Sequence, residues 1–173
     1  KLTEEKIERL AFYDVLTGLP NRRLLIDRLQ HALVVATREG THGALLFIDL
    51  DNFKDLNDRR GHDVGDLLLQ QVAQRLLACV RGADTVARLG GDEFVVLLEA
   101  LSTDVQEAAM QAEIIGLKVL ESLGHPYNLR EHSHTSTPSV GITVFQAGDE
   151  TIDDLLKKAD VAMYEAKAAG RNT

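Results

Sequence analysis

The sequence predicts an α+β fold, an α/β sandwich in which helices pack around a central, mostly antiparallel sheet of ferredoxin-like type. Three observations carry that expectation. Thr85–Leu89 and Phe94–Leu98 are strand-like runs joined by Gly90-Gly91-Asp92-Glu93, which reads as a β-hairpin because a Gly-Gly connection suits positive-φ turns. Gly43–Leu50 and Ser139–Phe145 are further strand-sized apolar runs. Long stretches of helical periodicity separate the strands. With 173 residues and 45% hydrophobic content, the chain suits one domain with a full core.

Taken in order, Thr3 is expected to cap a short helix carrying Ile7 and Leu10 and ending near Tyr13. Thr17-Gly18-Leu19-Pro20 reads as a turn. A helix from Asn21 to Arg38 places Leu24, Leu25, Leu29, Ala32, Leu33 and Ala36 on one face. After the first strand come a short helix, Asn52–Asp58, and a long amphipathic one, Asp63–Val80, through Leu67, Leu68, Val72, Leu76 and Val80. Beyond the hairpin, Thr103 or Asp104 is read as the cap of a helix running to Leu123. Arg130–Thr137 reads as a polar loop or hairpin; its exposed pair, His132 and His134, lacks the further ligands a metal needs. Thr151–Ala168 is the closing helix, with Leu155, Leu156, Ala159, Ala162 and Met163 inward.

The formal charge of −8 excludes a general phosphate-neutralising surface, so nucleic acid is not an expected partner. An anionic small ligand would instead be held by a few local cations or a metal. Cys79 is the only cysteine and lies in an apolar run, so no internal disulfide is possible and a buried thiol in a reducing, cytoplasmic setting is expected. The longest apolar runs span about five residues, far short of a membrane crossing. The chain starts at Lys1 without methionine and stops at Thr173 after a Gly-Arg-Asn turn, which suggests a domain cut from a longer protein.

Asp49 sits inside a hydrophobic strand, where an unpaired carboxylate costs several kcal/mol unless something compensates it. A divalent cation would do so. If this strand lies beside the hairpin, Asp49 and Asp92 meet at the sheet edge and form a hard-oxygen site suited to Mg²⁺ or Mn²⁺. Asp51, on the same side of the strand by alternation, is read as the cap of the following helix. Gly90 and Gly91 leave backbone without Cβ atoms, so a phosphate or ribose can come close. Lys54, Asn57 and Asp66 supply a cation, an amide and a carboxylate within thirteen residues. A carboxylate can accept from guanine's N1–H and exocyclic amine, and an amide can donate and accept; each residue alone also reads as surface polarity or a cap. Lys167 and Arg171 share a helix face if the last helix continues, though cations there also complement a helix dipole.

Asp14–Arg22, Asp49–Asp58, Gly61–Asp66, Arg88–Phe94 and Tyr164–Asn172 together resemble the GGDEF family, the diguanylate cyclases, over nearly the whole chain. The resemblance implies a sheet of nucleotidyl-cyclase type, with residues 1–13 ending an upstream signalling helix or linker and residues 14–173 forming the catalytic domain. It also implies condensation of two GTP molecules into cyclic di-GMP with release of pyrophosphate, by a homodimer of GTP-loaded domains. Carried over by position, Asp49, Asp92 and the Leu50 carbonyl hold Mg²⁺ (or Mn²⁺), and Glu93 is a further metal ligand or proton acceptor. Asn57 and Asp66 recognise guanine, Phe53, Gly90 and Gly91 line the substrate site, and Lys54, Lys167 and Arg171 engage phosphates. Arg81 and Asp84 match the family's inhibitory product site. The supporting second arginine is missing between Arg88 and Arg130, so weakened inhibition by cyclic di-GMP is expected. The implied setting is cytoplasmic, free or as the cytoplasmic part of a membrane-anchored protein, with an upstream sensory domain and a downstream phosphodiesterase domain as neighbours. The alternative is a catalytically silent module that binds GTP or cyclic di-GMP and regulates such a phosphodiesterase. Intact Asp49, Asp92, Glu93, Lys54, Asn57 and Asp66 favour activity.

Overall fold

The computed structural model describes residues 2–146 and 151–169. Its elements are α1 (Leu2–Phe12), α2 (Arg22–Glu39), β1 (His42–Leu50), α3 (Phe53–Arg60), α4 (His62–Cys79), β2 (Thr85–Gly90), β3 (Glu93–Leu101), α5 (Val105–Gly124), β4 (Tyr127–Leu129), β5 (His132–His134), β6 (Pro138–Phe145) and α6 (Ile152–Ala168). Four strands form a wholly antiparallel sheet in the order β2-β3-β1-β6.

Strand β1 occupies the interior of the sheet because it is apolar on both faces. Ala44, Leu46, Ile48 and Leu50 point into a layer built with Leu68, Val72 and Leu76 of α4 and Ala112 and Val119 of α5. Leu45 and Phe47 point the other way, into a layer with Leu25 and Leu29 of α2 and Leu155, Ala159 and Met163 of α6. A strand covered by helices on both faces reads as a continuous hydrophobic run rather than an alternating one. Asp49 follows the parity of Leu45 and Phe47, so it emerges on the α2/α6 face at the end of the strand. Helix α6 lies directly on β6 at Gly141, where a Cβ would collide with the backbone of Ala162 and Met163.

Helix boundaries follow local chemistry. Asn21 caps α2 by accepting from the Leu24 amide, and Gly40 closes it at φ 71°. Thr151 and Asp154 form a reciprocal capping box on α6.

Several expectations are corrected. Thr3 lies inside α1 rather than capping it. The hairpin turn is Gly91-Asp92, because Gly90 belongs to β2 and pairs with Glu93; only Gly91 of the two central residues has positive φ, 50°. Asp51 does not cap α3: that place belongs to Asn52 in a left-handed conformation, and the Asp51 carboxylate turns inward to Thr137 and Ser139. Cys79 is half-buried rather than enclosed, and burial raises its thiol pKa. Arg130 stands at φ 59° in the connection of a small hairpin, β4–β5, whose first strand, Tyr127–Leu129, lies ahead of the segment expected to be a polar loop or hairpin.

Candidate functional site

The ladder brings the acids together. Strand β1 pairs with β3 so that Asp49 stands opposite Glu93, one residue after the turn residue Asp92. The carboxyl groups of Asp49 and Asp92 lie within hydrogen-bond reach of each other. The Leu50 amide donates to the Asp92 carbonyl at 3.4 Å, tying the end of β1 to the turn. Burial pushes the Asp49 carboxyl up to about 7, and the hydrogen bond to Asp92 and its charge push the same way; the Lys167 ammonium opposes them. Glu93 is also raised, first by burial and then by Asp49 and Asp160, against the opposing cations Arg22 and Lys167.

One oxygen at this place is left open to a cation. Asp49 Oδ1 is buried and no group donates to it. Its other oxygen, Oδ2, stands 3.4 Å from Lys167 Nζ, the tethered cation that now balances the pair. Among the described residues no cluster of three or more metal-binding side chains occurs, so the chain does not build a complete cage. Mg²⁺ needs none, since it commonly takes one or two carboxylates and leaves the remaining positions to water and substrate phosphates. The donor set fits a hard divalent cation.

A second orphan marks the neighbouring recess. Asn57 on α3 has a buried Oδ1 without a hydrogen-bond partner. Gly65, at the start of α4, lies so close that a Cβ there would land on that oxygen and press on the Phe53 ring. Phe53, Asn57 and the residue after Gly65, Asp66, therefore share the α3–α4 junction, with Asp66 exposed. A buried amide oxygen and an exposed carboxylate at one junction can both accept from a group that carries adjacent donors. Lys54 projects from the first turn of α3, exposed, with no ion-pair partner among the described residues. At Gly90 and Gly91 a Cβ would meet nothing, so the space above the turn is open. Arg171 lies outside the described residues.

Arg81 and Asp84 meet, but Asp84 is occupied structurally. Its carboxylate accepts from the Arg81 and Glu99 amides at 3.0 and 3.2 Å and pairs with the Arg81 guanidinium at 3.4 Å. Arg81 also donates to the Glu99 carbonyl at 2.8 Å, while its side chain stays largely exposed. Arg28 of α2, which donates to Thr85 Oγ1 at 3.3 Å, and His31 stand near Glu99, a proximity no sequence spacing revealed.

A brace behind the turn, with no counterpart in the sequence pattern, holds it in place. Arg88 donates to the Gly91 carbonyl from Nε and Nη2, at 3.1 and 2.8 Å, and pairs with Asp14 at 3.0 Å. Burial opposes ionisation of Asp14, but the Thr17 hydroxyl and amide, with Arg88, outweigh it and hold the carboxyl below its usual range. The Asp14-x-x-Thr17 spacing, which lets a carboxylate accept from the chain three residues on, was the available signal. Arg22 and Asp160, both acting on Glu93, were also missed because α2 and α6 approach the hairpin only in three dimensions.

An antiparallel sheet between two helical layers, with acids at a glycine turn, defines a domain of the nucleotide-cyclase class, and the family model described as diguanylate cyclase, GGDEF domain, matches residues 11–173. The bifunctional diguanylate cyclase/cyclic di-GMP phosphodiesterase MucR of Pseudomonas aeruginosa is 47% identical over 164 residues, 95% of this chain and 23% of MucR. The isolated GGDEF domain of TpbB from the same organism superimposes with a TM-score of 0.85 at 39% identity, covering 92% of this chain and 91% of that one. The coiled coil and GGDEF domain of DgcB from Caulobacter crescentus, solved with cyclic di-GMP, gives a TM-score of 0.83 at 28% identity over 99% of this chain and 88% of that one. The chain belongs to the GGDEF family of diguanylate cyclase domains. It spans less than a quarter of MucR. No described helix is long and apolar enough to cross a membrane.

Proposed function

We propose that this domain condenses two GTP molecules into cyclic di-GMP with release of two pyrophosphates, as a Mg²⁺-dependent homodimer. The observation that carries the reading is the buried, donorless oxygen of Asp49 beside Asp92 and Lys167. Asp49, Asp92 and the Leu50 carbonyl would hold Mg²⁺ or Mn²⁺. When bound, such an ion neutralises triphosphate charge and makes a ribose hydroxyl more acidic.

The chain's own residues do the rest. Asn57 and Asp66 orient guanine through its donor edge, with Phe53 against it. Lys54, Lys167 and Arg171 balance phosphate charge, and Gly90-Gly91 admits the nucleotide to the backbone. Glu93, whose carboxyl burial and Asp49 raise above its usual range, is a further metal ligand or the acceptor of the proton from the ribose 3′-hydroxyl as that oxygen attacks the α-phosphorus of the other GTP. Because each domain holds one GTP, two domains must face each other, and proximity supplies much of the acceleration. Residues 1–13 are then the end of an upstream signalling helix or linker that controls pairing, and residues 14–173 are the catalytic domain. In the full-length protein this reading places a sensory domain upstream and a phosphodiesterase domain downstream, with the catalytic domain in the cytoplasm, free or as the cytoplasmic part of a membrane-anchored protein.

Incubation with Mg²⁺ and GTP tests the reading. Specific activity should rise steeply from nanomolar to high-micromolar protein, and Asp92→Ala should make no product; equal specific activity at both extremes would remove the dimer from the mechanism. GTP binding without product would favour the silent regulatory module. Arg81 and Asp84 form the product-binding site in this reading. Because its cationic support is thin, cyclic di-GMP should inhibit weakly, and calorimetry giving submicromolar binding to the isolated domain would overturn that expectation.

A further inference from the structure

We propose that Asp51 is a positioning residue that anchors the Lys167 ammonium beside Asp49, so the lysine stays at the site when a cation or phosphate draws it away from Asp49. The inference deepens the proposed function and rests on that reading for what does the displacing.

Three elements converge on this one carboxylate. Asp51 follows β1 directly, and its amide donates to the Thr137 carbonyl at 2.8 Å. Oδ2 accepts from Thr137 Oγ1 and Oδ1 from Ser139 Oγ, both at 2.7 Å, at the start of β6. Lys167, in the last turn of α6, places Nζ 3.4 Å from Asp51 Oδ1 and 3.4 Å from Asp49 Oδ2. One ammonium is thus shared by two carboxylates at equal distance.

The two carboxylates are not equivalent. The Asp51 side chain is 1% exposed and pinned by two hydroxyls, so drawing Lys167 away would take a cation from a buried charge. The Asp49 side chain is 15% exposed, has one oxygen that nothing donates to, and is pressed by Asp92. Asp49, more exposed, with a donorless oxygen and pressed by Asp92, exchanges one cation for another more readily than the deeply buried Asp51 does. A lysine suits the task because a compact charge on a flexible four-carbon stem can turn toward a new anion while keeping one ion pair, with no bidentate geometry to preserve. The stem's origin is fixed in turn, since α6 rests on β6 at Gly141.

Amine labelling by reductive methylation, read at Lys167 by mass spectrometry, tests the asymmetry on the whole metal-free domain without nucleotide. Asp49→Asn should leave Lys167 protected within about twofold of wild type, whereas Asp51→Asn should raise its labelling roughly tenfold. The Asp51→Asn amide oxygen still accepts from Thr137 or Ser139, so its melting temperature should stay close to wild type. Unchanged labelling in Asp51→Asn, an equal rise in both variants, or a lowered melting temperature with no change in labelling would each overturn the proposal. If Asp51→Asn fails to fold, Asp51→Glu and Asp51→Gln repeat the comparison. The charged variant should keep protection and the neutral one lose it, and equal labelling in the two would also overturn the proposal. A wild-type domain that makes no cyclic product would sink the proposed function and leave this comparison standing.

Discussion

Asp49→Asn is expected to yield a domain that is more stable at neutral pH and makes no cyclic di-GMP. The folded-state pKa of Asp49, raised to about 7 from an ordinary 3.8, means the folded protein binds a proton there that the unfolded chain releases. The sign follows: this group's contribution is most favourable below about pH 4, declines as pH rises through the window to about 7, and is flat above it. After solvent screening, the penalty at neutral pH is on the order of 1–3 kcal/mol. An uncharged asparagine removes it and can also donate to Asp92. Asp14 has the opposite sign, its lowered pKa favouring the fold above the usual carboxylate range, so the informative quantity is wild type minus variant. Urea unfolding across this pH range should show that difference growing toward neutrality. Mg²⁺ should raise the melting temperature of wild type only. A variant less stable than wild type at neutral pH would show that Asp49 is not the strained acid. Domains that place function ahead of stability commonly gain stability when a functional charge is removed.

Gly141→Ala should have the largest effect on folding. The added methyl would overlap the main chain of Ala162 and Met163, and backbone cannot swing aside as a side-chain tip can. A loss of roughly 3–5 kcal/mol is expected, enough to unfold a domain of ordinary stability. Gly116→Ala is the matched control, because its methyl would meet Ile142 Cδ1 at 2.9 Å, the mobile end of a side chain. Denaturant midpoints measured with unchanged slope should separate the two by several-fold in destabilisation. Similar midpoints for both would mean that α6 can ride away from β6. Since α6 carries Lys167, any soluble Gly141→Ala should also leave that lysine loosely held.

How far the sequence reached can be judged at particular residues. Apolar periodicity placed α2, β1, α4, α5, β6 and α6 within a few residues, because each buries a face whose period its own side chains dictate. The meeting of Asp49 with the hairpin was legible once strand parity and a glycine turn were read together. Asp51 was not, since a carboxylate ahead of a helix has a local use as a cap and nothing nearby in sequence reveals Thr137 and Ser139 as its partners. The Arg88–Asp14 brace spans 74 positions and the Lys167–Asp51 pair 116, separations over which composition carries no signal.

Elements, faces and the chemistry on offer were therefore determined by the sequence alone: two helical layers, a hydrophobic central strand interrupted by one costly acid, and a glycine turn that carries a second acid. Which acid is left without a donor and which is fully satisfied was decided only by tertiary structure. The reason is physical: a carboxylate's energy depends on burial and on donors that chain folding brings from distant strands and helices, and neither exists until the sheet closes between its helices.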